Sequence, residues 1–246
     1  MIEYIYDNTF EGLLTAIFYA YPSKVPVKIS RALFFEPTLI TEPIEIKTEE
    51  DKFNRVYKSI ELKLSSNTLK NVFYLFLSDL KNVEDLILNY LKLCYRFGDN
   101  INLAKNNDII INVDKISRKV TLEAHRFTGF VRFSEISPLT YYAKIEPDHN
   151  IIPLITNHFI KRFSDQNFII HDIKRNSALL YNKTDYVITS LSEKENSSFD
   201  FGDYKDNFEI LWKDYFNSTT IKERINTRLQ KRSMPIRYWS NLTELK

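Results

Sequence analysis

A single cysteine, Cys94, stands in 246 residues. One thiol excludes an internal disulfide, a multi-cysteine zinc site and an iron–sulfur cluster, and a reducing compartment is its natural setting. Within Tyr90, Leu91, Lys92, Leu93, Cys94 and Tyr95 it reads as a small buried hydrophobe on a helix. Glycine is nearly as scarce. Four residues leave no Walker loop, no dinucleotide fingerprint and no turn-dense all-β fold, and the glycine-flanked serine elbow of a hydrolase triad is missing too. No apolar run approaches the roughly 20 residues that span a bilayer. The start, Met1, Ile2, Glu3, Tyr4, lacks the basic-then-apolar order of a signal peptide. A cytoplasmic protein away from membranes is expected. An excess of one charge is lacking as well: the net of +2 argues neither for nor against a polyanionic partner.

What is present is ordinary globular composition, 43% hydrophobic and 27% charged, in a chain long enough to bury a core without staples. Residues 2–6 alternate and read as a strand. Asp7, Asn8 and Thr9 turn into a helix with apolar spacing at Phe10, Leu13, Leu14, Ile17 and Phe18, which Pro22 and Pro26 end. A strand is predicted over 44–47. Helices follow from an acidic start at Glu49, Glu50 and Asp51 to Leu64, from the cap at Ser66 and Asn67, and over 83–97 up to Gly98. This N-terminal part shows no catalytic constellation. A longer helix opens at Asn107 and Asp108, carries Ile109, Val113, Ile116 and Val120 as its buried stripe, and is expected to stop at Gly129.

Beyond it, strand-like runs cover 130–136, 141–145, 168–173, 178–181 and 186–189, with a helix over 151–163 between the second and third. Residues 192–203 read as an acidic loop. Phe208, Leu211, Trp212, Tyr215 and Phe216 define one helical face, Ile221, Ile225 and Leu229 another, and Pro235 ends it. Tyr238 and Trp239 are expected to pack back on the body. The predicted class is α+β: a helical N-terminal half, a mostly antiparallel sheet with a crossing helix, and C-terminal helices packed on it. Residues 1–100 form the mainly helical part and 101–246 the part that carries the polar motifs.

All 4 histidines fall between positions 125 and 171, among carboxylates and arginines. Histidine titrates near neutral pH and its neighbours tune it, so His125, His149 and His171 with Asp148, Asp172 or Glu146 are candidate acid–base groups. Local geometry limits each. On a helix, Glu123 faces roughly opposite to His125. Asp148 suits the cap of the next helix, where it would accept backbone N–H bonds. His158 and Arg162, four apart, share a helical face. On a strand, His171 faces with Ile169 and Ile173, and Asp172 with Phe168, Ile170 and Lys174. No spacing supports a histidine metal site, and no cofactor is expected. The alternation Arg126, Phe127, Phe130, Arg132, Phe133 offers guanidiniums to phosphate and rings to bases if it is an exposed strand, and core aromatics with rim arginines if it is not. Basic residues also thicken at Arg224, Arg228, Lys231, Arg232 and Arg237, whereas acids thicken at Glu193, Glu195, Asp200, Asp203 and Asp206.

The strings at 123–133, 145–150, 158–163, 170–175 and 228–239, together with Tyr6, Asp7, Phe10, Glu11 and Gly12, resemble the bacterial family described as probable DNA metabolism proteins. That family is a domain of unknown function encoded beside a radical-SAM protein or fused to a uracil-DNA-glycosylase-like domain. The resemblance covers nearly the whole chain. It implies a DNA repair or modification factor that binds DNA and works with a radical-SAM partner, since one cysteine cannot hold that cluster here. It assigns no roles to single residues; the basic ones in or beside the motifs, Arg126, Arg132, Arg162, Lys174, Arg175, Arg228 and Arg237, are candidate nucleic-acid contacts because their side chains would hold phosphate. A stand-alone enzyme acting on a nucleotide or damaged base, and a non-catalytic scaffold, remain the rival expectations.

Overall fold

Tyr4 and Tyr6 alternate with Glu3 and Ile5, and in the computed structural model this run is β1 (Ile2–Tyr6). The structure describes residues 1–192 and 207–245. The chain divides into two compact units, Met1–Val120 and Thr121–Lys246.

In the first unit β1 is the middle of a three-stranded parallel sheet, between β2 (Val27–Arg31) and β3 (Glu42–Ile46). The crossover from β1 to β2 is α1 (Phe10–Ala20), whose Thr9 cap accepts the Gly12 N–H. Gly12 is required by close approach: a Cβ there would lie 2.1 Å from Asp7 Oδ1. The strand β2 was not anticipated, and β3 starts two residues before the predicted run. Polar residues fill β2 because Glu3, 1% exposed, accepts bonds from Lys28 Nζ (2.8 Å), Ser30 Oγ (2.5 Å) and Thr41 Oγ1 (2.8 Å). The run does alternate, Val27 and Ile29 with Lys28 and Ser30, but it is only five residues long and its polar side chains turn to a buried carboxylate.

The predicted helices appear as α2 (Glu50–Lys63), α3 (Ser66–Leu77), α4 (Val83–Phe97) and α5 (Asp108–Phe130). Ser65 caps α3 through Thr68 N, and Gly98, at φ +77°, ends α4. Leu13, Leu14, Ile17, Ile29, Ile60, Val72, Leu75, Ile87 and Leu91 fill the core. Cys94 is buried as expected, and burial pushes its thiol up to about 11, far from reactive at neutral pH. This unit also buries a polar cluster. Arg31, 5% exposed, gives Nε to Glu84 (2.8 Å), Nη1 to Asp79 (2.6 Å) and Nη2 to the Phe76 carbonyl (2.6 Å), and the Tyr6 phenol also donates to Glu84.

The second unit takes the end of α5 and a five-stranded sheet of β4 (Ser134–Ser137), β5 (Thr140–Ile145), β6 (Asn167–Asp172), β7 (Ser177–Tyr181) and β8 (Tyr186–Ser190), in that order. Only β5 and β6 run parallel, because α6 (Ile152–Arg162) connects them. The other neighbours are antiparallel pairs. One face, with Ile145, Phe168, Ile170, Leu179 and Tyr181, packs with α6 residues Ile152, Ile155 and Phe159 and with Ala124, Phe127 and Tyr238. The C-terminal helices are α7 (Asn207–Thr219) and α8 (Thr227–Ser233), followed by short 3-10 turns at Ile236–Asn241 and Thr243–Leu245. The expected acidic loop lies outside the described residues from 193 on, as does the Phe208 side chain.

Two local expectations fail. Phe130 ends α5 and residues 131–133 belong to no strand, so the aromatic–arginine run is not a strand there. Phe133 instead packs among Phe159, Phe163 and Phe168, with ring centroids 4.7–5.8 Å away. The second is the start of α6: Ile151 is its cap, with no side-chain cap bond, so Asp148 does not serve that helix.

Candidate functional site

Four of the five polar strings meet at the loop between β5 and α6. Glu123 sits on the inward face of α5 and is 4% exposed. Its Oε1 accepts the Asp148 N–H at 2.9 Å and its Oε2 the His149 N–H at 2.8 Å. The Tyr238 phenol donates to the same Oε1. From the other side, Arg175 Nη1 reaches the Pro147 carbonyl (3.1 Å) and Arg175 Nη2 the Asp148 carbonyl (2.6 Å), with Lys174 Nζ 3.3 Å from the latter. Arg237 Nη2 then bonds the Asp148 carboxylate and the Tyr238 hydroxyl, each at 2.8 Å. The loop is therefore held by its amides, its carbonyls and the Asp148 carboxylate at once.

Electrostatics follow this geometry. Asp172 is fully buried at the end of β6. Burial raises its pKa above the ordinary carboxylate value, and the Arg175 guanidinium, 2.8 Å away, opposes the rise without cancelling it. Burial and then the Glu123 carboxylate push the Tyr238 phenol well up, so it stays a donor. Strand alternation placed His171 and Asp172 on opposite faces, and the structure agrees. Asp172 shares a face with Phe168 and Ile170, whereas His171, 4% exposed, has Nδ1 2.8 Å from the Tyr142 hydroxyl.

The structure thus brings together Asp148, Asp172, Lys174, Arg175 and Arg237, with His149 joined through its backbone. None of the bonds just described involves His125, Glu146, His158, Arg162 or Arg228. His125, Glu146, His158, Arg162 and Arg228 are exposed, His149 is half-buried and His171 buried. No three His, Cys, Asp or Glu side chains among the described residues could hold a metal ion. Sequence reasoning missed Glu123 as the centre of the cluster. Its position opposite His125 on the helix was readable, but which of the two faces inward is decided by the exposure of His125 in the structure.

A second feature lies at the end of α5 and on α7. Arg132 pairs with the buried Glu244 through Nη2 (2.6 Å) and Nε (3.1 Å), and its guanidinium lies 5.5 Å from the Trp212 ring. Burial would raise the Glu244 pKa, but the bonds from Arg132 and Trp212 Nε1 bring it below the ordinary value. Trp212 and Tyr215 stack at 5.7 Å with an interplanar angle of 30°, and remain 40% and 58% exposed. With Phe133, Ser134, Leu211 and Thr243 these residues line a cleft of about 500 Å³. Arg126 donates to the Arg232 carbonyl at 3.4 Å, which sets it beside α8, where Arg228, Lys231 and Arg232 are exposed. Between 222 and 239 the chain has six Lys or Arg and one acid, Glu223.

Residues 81–244 match the family described as a domain of unknown function, DUF4130, and this stretch is more than half of the chain. The chain belongs to that family. No curated protein matches it. Among the described residues no helix is long and apolar enough to cross a membrane.

Proposed function

We propose that this member of the DUF4130 family is a nucleic-acid-binding factor, serving DNA repair or modification alongside a radical-SAM partner. The observation that carries the binding reading is the exposed Trp212–Tyr215 stack with Arg132 over the indole, in a unit whose C-terminal segment is strongly basic. Stacked rings beside a guanidinium accept unpaired bases of any sequence, and flanking lysines and arginines track the phosphates. Arg126, Arg228, Lys231, Arg232 and Arg237 would supply that track. Single-stranded DNA is the substrate class this chemistry favours, since a paired base cannot reach the rings. The radical-SAM partner rests on the resemblance of the polar strings.

An acid–base enzyme built on the histidines draws less support. Two of the three carboxylates it would use, Asp148 and Asp172, hold Arg237 and Arg175, and His171 is buried against Tyr142.

Anisotropy of a labelled single strand, titrated with the protein at two salt concentrations, tests the proposal. Affinity should fall steeply with salt, and Trp212→Ala with Tyr215→Ala should weaken binding by about tenfold or more. Arg228→Glu should flatten the salt dependence. Absent or salt-insensitive binding of both single- and double-stranded DNA would overturn it.

A further inference from the structure

The first unit holds a cleft that the reading above does not use. It has a volume of about 690 Å³, within the range of small-molecule sites. Its floor is apolar: Ile17 and Leu91 are buried, Phe18, Val56 and Tyr95 complete it, and the exposed Leu62 stands at its edge. Its rim is cationic, because Arg55, Lys58 and Lys63 line it and, among the described residues, no acidic side chain does. The Phe18 ring has the Arg55 guanidinium 5.5 Å and the Lys52 ammonium 5.2 Å from its centroid.

Helix periodicity explains how this arises. In α2 the positions 55, 56, 58, 59, 62 and 63 recur at three- and four-residue steps and form one stripe. Only Ile60 of the 14 residues of α2 is buried. The stripe is thus left to face the cleft, mixing Val56 and Leu62 with three cations. A solvated amphipathic helix puts its cations opposite its apolar residues; here they share one side. Ser59 within the cleft accepts the Tyr95 hydroxyl at 2.8 Å, which steadies the wall.

We propose that this cleft binds a small amphipathic anion, with an apolar acyl or aromatic body against Phe18, Val56, Leu91 and Tyr95 and a carboxylate, sulfonate or phosphate head among Arg55, Lys58 and Lys63. The apolar body supplies the affinity and the cations select the sign of the head.

The test uses the full chain and 8-anilinonaphthalene-1-sulfonate as a fluorescent probe. Dodecanoate and naphthalene-1-sulfonate are the anionic competitors, with acyl and aromatic bodies, and dodecyltrimethylammonium carries the same acyl tail on a cation. The probe should bind and at least one anion should displace it, while the cation should not. Which anion wins identifies the body. Reversal of both exposed lysines, Lys58→Glu with Lys63→Glu, should weaken probe binding by about tenfold, and their change to Gln by less. Lys81→Glu, outside the cleft, should leave it within about twofold. Circular dichroism verifies that each variant keeps its helices. Should the charge-reversed variant misfold, the Gln pair takes its place, and weaker probe binding is again expected. No probe binding, equal displacement by the cationic detergent, or unchanged affinity in the lysine variants would overturn the proposal.

Discussion

Glu123→Gln isolates the clamp around the loop after β5. Glutamine fits the space, but its amide has one acceptor oxygen where the carboxylate has two. In the wild type, Oε1 takes the Asp148 N–H and the Tyr238 hydroxyl, and Oε2 takes the His149 N–H at 2.8 Å. If the amide oxygen keeps the first pair, its NH2 faces the His149 N–H donor to donor. The reverse orientation sets it against two donors and is worse. One charge-assisted bond is lost and one amide left facing a donor, which costs about 2–3 kcal/mol. The assay is hydrogen exchange of the Asp148 and His149 amides in the intact chain, a local readout suited to a protein of two compact units. At about 1.4 kcal/mol per decade, protection should fall by about 30- to 150-fold. Tyr238→Phe removes one donor to Glu123 and one acceptor of Arg237, and should cost less, about 1–2 kcal/mol. Unchanged protection in Glu123→Gln would refute the argument, because the loop would then be held by Lys174, Arg175 and Arg237 without Glu123.

Two further outcomes are expected. Gly12→Ala gains about 1 kcal/mol in helix propensity but drives a Cβ to within 2.1 Å of Asp7 Oδ1, an oxygen held by the Thr9 N–H and hydroxyl. The broken cap should make the variant a net loss in thermal denaturation, and Asp7→Ala in the same chain should remove most of that loss in a double-mutant cycle. Acid should destabilise the protein through Glu3 and Glu244. Burial works to raise both, but the bonds from Lys28, Ser30 and Thr41 to Glu3, and from Arg132 and Trp212 to Glu244, leave each below the ordinary value of 4.5. A folded pKa below the unfolded one means stability that is complete above about pH 4.5 and lost as the pH falls through the depressed values. Urea midpoints measured from pH 6 to pH 3 should show this decline, and Glu3→Gln should make it shallower.

The helices were legible because their signals are local. Thr9 caps α1, Gly98 stops α4, and the apolar steps of α5 bury Val113 and Val120. The alternation that set His171 and Asp172 on opposite faces of β6 was equally local. β2 was not read: its alternation is only five residues long, and it ends in Arg31, a residue that looks exposed until Glu84 and Asp79 stand beside it. Nor was the fate of the aromatic–arginine run, since only packing decides that α5 continues to Phe130 and that Phe133 turns into the core.

By itself the sequence determined the α+β class, the burial of Cys94 and the confinement of reactive side chains to a few strings, all of which depend on spacing along one chain. Tertiary structure alone decided what those strings do: Glu123, Asp148, Arg175 and Arg237 meet because α5, the β5–α6 loop, β6 and the C-terminus converge. It also left Trp212 and Tyr215 exposed on a helical face whose spacing suits a core. Periodicity shows which side chains share a face, but whether anything covers that face depends on distant residues.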